Sequence, residues 1–319
     1  MSLEPGPGEV IGRIRAMATD ITVRAVGGAD DMAARLGPTL AVFSEVEASC
    51  TRFVATSPLM RANATPNRWH RLPPLCFAAI VEADRAYQRT SGRFDPRVLV
   101  DLLRLGYDRS LPFARGTLAL AGPRPQRRRR LSPWRPRFRG SSREVLLGGH
   151  PVDLGGVGKG LAVRWASLTL RRLTPDHLIE AGGDCYCSGR APDGGPWKVA
   201  VEDPTGGSTP VAVLSLTDRA CTTSSLRLRR WRVGGEPVHH LVDPRTGSPG
   251  GAGLLAVTVV GADPAVAEVW SKAVFLAGAR GAPGLAARKG LAALWVGTGG
   301  DLGISPTMRQ YVQWQVKSA

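Results

Sequence analysis

The stretch Val152–Trp165 reads VDLGGVGKGLAVRW, and the rest of the chain is organised around it. Val152 and Leu154 end an apolar strand and flank Asp153. A glycine-rich turn follows, and then Leu161, Trp165 and Leu168 fall at i, i+4 and i+7 of an amphipathic helix. Such a strand–turn–helix junction points backbone N–H groups and a positive helix end at one spot, where a phosphate can sit. The spacing is not that of a nucleoside-triphosphate P-loop. Asp153 stands where that motif has its first glycine, and Gly160 follows Lys159 where it has Ser or Thr. Taken alone, the stretch reads first as a helix start behind a tight turn. The remaining segments decide between the two readings.

With 319 residues, 43% of them apolar, the chain can bury a substantial core. It has no apolar run long enough for a transmembrane helix. The N-terminal MSLEPGPGEVIGRIRAM lacks a basic-then-apolar leader pattern, and the expected location is the cytoplasm. Five cysteines form no C-x-x-C pair. Cys185 and Cys187 share a face of one strand and read as reduced, buried small hydrophobes.

The net charge of +16 raises the question of a nucleic-acid partner. Ten arginines and no acid lie between Arg115 and Arg143, interleaved with Pro123, Pro125, Pro133 and Pro136. This composition reads as a flexible, disordered insertion over about 115–143 that touches polyanions through phosphates alone. No specific nucleic acid is expected, because no RNA-binding or zinc-finger pattern accompanies the charge.

Residues 1–11 read as a mobile tail ahead of one domain over 12–319. Arg15–Val26 alternates as a strand, and Asp30 or Asp31 caps a helix to about Cys50, with Pro38 bending it. A second helix starts near Pro73–Pro74 and stops at Gly92. Strands dominate after Thr174-Pro175, and Asp263-Pro264 opens another helix. Long strands with segregated helices give an α+β class, with mixed or antiparallel sheets and packed helices.

Several segments, in order over roughly residues 14–280, resemble the ApbE-type flavin transferases (FAD:protein FMN transferases). RAMATDITV is similar to that family's Met-Gly-Thr strand, with Ala18 for the glycine. SCTRFVATSPLMRAN resembles its S-R-F segment, with Pro58 in place of glutamate, and GRFDPRV its G-x-F-D-P-T-V, with Arg97 in place of threonine. VDLGGVGKGLAV, IEAGGDCYCSG…PWKVAVEDP and VHHLVDPRTGSP match the longer signatures. The resemblance implies an ApbE-like fold, FAD as substrate, Mg²⁺ as metal, and a protein acceptor whose Thr or Ser receives FMN as AMP leaves.

It also implies roles. His240 is the expected general base, since an ordinary histidine pKa of ~6.5 suits proton removal at neutral pH. His239 would face the opposite side of the strand. Lys159 adds a cation at the pyrophosphate. Met17 and Phe53 contact the flavin. Arg93, Phe94, Asp95, Asp153, Gly155, Gly156, Leu161 and Leu241 complete the FAD pocket, and the Gly158 carbonyl is a metal ligand. Asp153 and Asp184 equally suit turn or cap formation, Phe53 a loop anchor, and the histidine pair a turn at DPRTG.

The metal segment departs from the family's A-D-x-x-x-T. Here it is Ala267-Glu268-Val269-Trp270-Ser271-Lys272. Glu268 can still ligate a hard cation, whereas the Lys272 ammonium at the family metal position cannot. Either the two form an ordinary i, i+4 pair, or the ammonium stands in for the ion. Three functions follow: the transferase, a degenerate FAD-binding protein without turnover, and an arginine-rich polyanion binder.

Overall fold

In the strand Thr19–Val26, Ile21, Val23 and Ala25 alternate with polar positions, and all three are fully buried. This strand is the third of nine that form the main sheet of the computed structural model, which describes residues 2–27, 29–110, 118–120 and 132–316. We label the nine β1 (Ser2–Gly6), β2 (Glu9–Ala16), β3 (Thr19–Val26), β4 (His177–Ala181), β5 (Asp184–Ser188), β6 (Arg219–Ser225), β7 (Leu254–Gly261), β8 (Ala292–Gly297) and β9 (Leu302–Ile304). They lie side by side in chain order and every neighbouring pair is antiparallel.

The long helices are α1 (Ala29–Cys50), α2 (Pro74–Arg89), α3 (Gly158–Leu170), α4 (Pro264–Phe275) and α5 (Gly278–Lys289). Of these, α1, α3, α4 and α5 cover one face, and α2 packs in a separate core with Leu154, Val157 and Leu161. In α1 the stripe Leu36, Leu40, Phe43 and Val46 packs with Ala162, Val163 and Ala166 of α3 above β3 and β4. On α4 the stripe Val274, Ala273 and Trp270 packs over β6–β8. The Asp263 side chain caps α4 by accepting from the Val266 N–H at 2.9 Å. On the opposite face, Cys185, Cys187 and Cys221 lie in a core with Trp197, Leu214 and Leu216 of a small antiparallel sheet. The two layers over the sheet and the antiparallel pairing give the α+β class that the sequence implies.

Three expectations are corrected. Residues 1–11 are not a mobile tail over the described residues 2–11: β1 and β2 form a hairpin, with Gly8 at φ 72° in its turn. Arg15–Val26 is not one strand. Met17 and Ala18 turn the chain at φ 53° and 58°, so β2 and β3 pair with Ala16 opposite Thr19. The 115–143 segment is only partly testable, since 111–117 and 121–131 lie outside the described residues. Its second half is ordered. Trp134 is buried, with its indole N–H on the Leu147 carbonyl at 2.7 Å, and Arg137–Arg139 pairs with Glu144–Leu146. The Arg139 guanidinium lies 4.1 Å from the centre of the Trp69 ring, so part of the basic run is held against an aromatic side chain while staying exposed.

Candidate functional site

The excursion between β3 and β4 carries the glycine turn, and the way the chain enters that turn is fixed by one amide. The Asn63 side chain accepts from the Val152 N–H and donates to the Val152 carbonyl, both at 2.8 Å, as a neighbouring strand would. The Asp153 N–H then donates to the Pro96 carbonyl at 2.7 Å. Asp153 Oδ1 accepts from the Gly155 N–H at 2.9 Å, and Arg52 Nε pairs with the other oxygen at 3.0 Å. Burial pushes the Asp153 carboxyl up, against the pull of the Arg52 guanidinium.

The sequence led us to expect free amides at the start of α3, and most of them are already used. The Gly158 N–H donates to the Leu154 carbonyl and the Gly160 N–H to Glu268 Oε2, both at 2.8 Å. Positive charge at this turn therefore comes chiefly from side chains. Lys159 contacts the buried Asp184 carboxylate and lies 3.6 Å from Glu268 Oε1. Lys272 donates to the same Oε1 at 3.0 Å. Burial lowers the Lys159 ammonium to about 8, opposed by Glu268. Burial alone would raise Glu268, but the Lys272 and Lys159 charges prevail and hold its carboxyl below the usual range.

Above the turn lies a cleft of about 740 Å³. Its floor is Asp153, Gly155, Gly156, Gly158 and Lys159, and Lys272 stands on one wall. A second wall carries Arg93, Phe94 and Asp95, and the Met17–Ala18 turn closes one end. Phe53 stands at the mouth, half exposed, with its ring 5.7 Å from that of Tyr107 and the Arg52 guanidinium 4.2 Å from both. Asp95 lines the cleft but is committed: Arg97 folds back on it with Nη2 at 2.7 Å. Asp243-Pro244-Arg245 repeats the same clamp at 2.7 Å, and Asp243 also closes the DPRTG turn by accepting from the Gly247 N–H.

His240 and Leu241 face the glycine turn from the far side. The His240 Nδ1 donates to the Arg229 carbonyl at 3.3 Å, which leaves Nε2 as the proton-accepting nitrogen. Burial, then the charges of Arg229 and His239, drive the imidazole well below its usual 6.5, so it is neutral at pH 7. His239 turns the other way. Its Nδ1 accepts from the Leu241 N–H at 3.3 Å and its ring packs edge-on against Phe275.

One expected pocket residue is displaced. Leu161 is buried in the core with Leu154, Val157, Ala265 and Val269, on the inner side of α3, and makes no cleft wall. The helical period already placed it there. Arg52, Arg229 and Tyr107 line the cleft without having been singled out. Arg52 adjoins Phe53 in a quoted motif, whereas Arg229 is one of four arginines in Leu226–Arg232 and carries no distinguishing signal.

The donors offered to a resident Mg²⁺ do not fit it. Both Glu268 oxygens are taken, by the Gly160 N–H and the two ammonium groups, and Lys272 has only donors. Ser271 Oγ donates to the Glu268 carbonyl and pairs with Ser224 Oγ at 2.7 Å. Among the described residues no group of three or more His, Cys, Asp or Glu side chains is arranged to hold a metal. The Gly158 carbonyl and Glu268 are therefore not an ion cage here.

Fold and cleft together set a lysine-bearing glycine turn and a histidine on one cleft of about 740 Å³ over an antiparallel α+β scaffold. The chain belongs to the ApbE family, whose model matches residues 17–295. It is 27% identical over 241 residues to the FAD:protein FMN transferase of Chlamydia trachomatis, covering 73% of this chain and 72% of that one. It is 29% identical over 166 residues to the enzyme of that name from Salmonella typhimurium, covering 50% and 47%. The match thus spans about half the length of that curated relative. Among solved structures, the ApbE protein of Thermotoga maritima superposes at a TM-score of 0.80 with 24% identity, over 96% of this chain and 100% of that one. The flavin transferase ApbE of Vibrio cholerae gives 0.76 with 19% identity, over 97% and 100%. These two establish the likeness of fold. No described helix is long and apolar enough to cross a membrane.

Proposed function

We propose that the chain is an FAD:protein FMN transferase. The observation that carries this reading is that His240 and the Asp153–Lys159 turn line one cleft of about 740 Å³, a size that suits a dinucleotide. Relatives bearing that name support it. In this reading the FAD pyrophosphate lies over Gly155 and Gly156 beside Lys159 and Lys272. The flavin lies toward Met17 and the exposed face of Phe53, with Arg93 and Leu241 as further contacts.

The chemistry is a phosphoryl transfer, in which catalysis is mostly positioning and charge stabilisation. A Thr or Ser hydroxyl oxygen of the acceptor protein forms a bond to the phosphorus on the riboflavin side. The bond from that phosphorus to the bridging oxygen breaks, and AMP leaves with the electron pair. The hydroxyl proton passes to His240 Nε2; burial and the Arg229 charge keep the ring neutral, and the Arg229 carbonyl holds it in the right tautomer. The pyrophosphate's negative charge raises the pKa of His240 toward the working pH once substrate binds. Lys159 faces the charge that develops on the phosphoryl oxygens.

The test is incubation of the purified chain with FAD and a threonine-containing acceptor peptide, following AMP and peptide-bound flavin. Release of AMP in step with flavin attachment supports the reading. A yellow, FAD-bound protein that releases no AMP overturns it in favour of a flavin-holding protein.

A further inference from the structure

Transfer of a phosphoryl group out of a pyrophosphate needs a cation where negative charge gathers on the leaving phosphate. In this cleft, both Glu268 oxygens are already taken, and no group of three or more His, Cys, Asp or Glu side chains among the described residues is arranged to hold a metal. Two ammonium groups converge instead on a single oxygen, Glu268 Oε1, at 3.0 Å for Lys272 and 3.6 Å for Lys159. Glu268 is fully buried and has its other oxygen on the Gly160 N–H, so its position is fixed by the backbone of α3. The Lys272 side chain crosses over the glycine turn: a Cβ on Gly156 would lie 3.5 Å from its Cδ and Cε. Its ammonium reaches the cleft wall with 16% of the side chain exposed, whereas Glu268 behind it has none. An ammonium has three donors, and Glu268 occupies one, which leaves donors for phosphate oxygens.

We propose that the Lys272 ammonium, seated on Glu268, is the resident cation that meets the pyrophosphate in this chain, in the place of a divalent metal. The proposal rests on the transferase reading above. Lys272 is then a catalytic residue: it neutralises the bridging oxygen and the adjoining phosphoryl oxygens as the bond to AMP breaks. No electron or extra reactant is needed, because the lysine acts through its charge and the electron pair of the broken bond leaves with AMP. Glu268 is a positioning residue, doing for the lysine what a ligand does for an ion. Lys159, anchored on Asp184 and 3.6 Å from the same Glu268 oxygen, supplies the second charge.

The experiment measures FAD affinity by flavin fluorescence and AMP release with acceptor peptide, each in EDTA and in Mg²⁺. In wild type the expected change between the two conditions is at most about twofold in either readout, since no ion is part of the site. Lys272→Met is expected to lower AMP release in EDTA at least about 100-fold while its circular dichroism stays native. Lys272→Arg, which keeps the charge, should recover to within about tenfold of wild type. Loss of wild-type turnover in EDTA with rescue by Mg²⁺ overturns the proposal and leaves the transferase reading standing. Near-normal release by Lys272→Met in EDTA also overturns it. Absence of AMP release in every condition overturns both. The EDTA comparison on wild type decides the matter even if Lys272→Met does not fold.

Discussion

The backbone N–H of Gly160 donates to Glu268 Oε2 at 2.8 Å, across the contact between α3 and α4. A Cβ at Gly160 would lie 2.6 Å from the Pro264 carbonyl oxygen and 2.7 Å from the Ala265 Cα, both rigid backbone atoms. Gly160→Ala therefore separates the two helices and withdraws the donor from a buried carboxylate. The expected cost is about 2–3 kcal/mol, read as a lower urea midpoint with an unchanged slope. Weaker FAD binding should accompany it, because Glu268 seats both lysines.

Asn63 is the second structural lever on the glycine turn. Asn63→Ala leaves the Val152 N–H and carbonyl buried and unpaired in place of two 2.8 Å hydrogen bonds. A loss of about 2–3 kcal/mol is expected in chemical denaturation. Hydrogen exchange at Val152 should quicken by more than exchange in β7, which the substitution does not touch.

The pH profile of kcat/KM should be asymmetric. Burial holds the Lys159 ammonium at about 8, so its charge is present below that pH and is lost above it. Activity then falls on the alkaline side near 8, and Lys159→Arg should remove that limb because guanidinium does not titrate there. His240, held well below 6.5, sets an acid limb beneath the ordinary histidine range. His240→Asn should lower transfer by about 10²–10⁴-fold while FAD binding persists.

Stability should also fall in mild acid. His177 is buried, with Nε2 against the Ser167 hydroxyl at 2.8 Å and Nδ1 donating to the Thr174 carbonyl at 3.2 Å. Burial brings its pKa down from 6.5 to about 4. Between those values the unfolded chain binds a proton that the folded chain refuses, so the contribution is complete above 6.5 and is lost as pH drops toward 4. His239, also lowered to about 4 by burial, adds to the same window. Melting temperature measured across it should decline, and His177→Gln should make the decline shallower.

Where the sequence was readable, a local rule and the tertiary structure agreed. The stripe Leu36, Leu40, Phe43, Val46 and the Asp263 cap belong to helices whose period and start signal coincide with burial. The Met17–Ala18 turn was not readable, since neither residue favours positive φ and no glycine, proline or asparagine marks it. SLEPGPGEV hides a strand behind glycine and proline, and Trp134 is one of two aromatics, with Phe138, inside a run of arginines. The site divides the same way. His240, Lys159 and the glycine turn carry recognisable motifs, but Leu161 was assigned by resemblance against its own helical period. The bond between Asn63 and Val152 joins residues far apart in sequence, with no pattern to announce it.

The strand pairing β3–β4 sets Val23 opposite Ile179, although residues 27–176 intervene. During synthesis the hairpins β1–β3 therefore leave the ribosome with an open apolar edge. At ~5–20 residues per second, roughly 150 residues must follow before the matching strand arrives, a wait on the order of 10–30 s. The nascent chain thus carries an exposed pairing edge throughout the making of its own glycine turn. It is during this interval that a holding chaperone would protect the yield of folded protein.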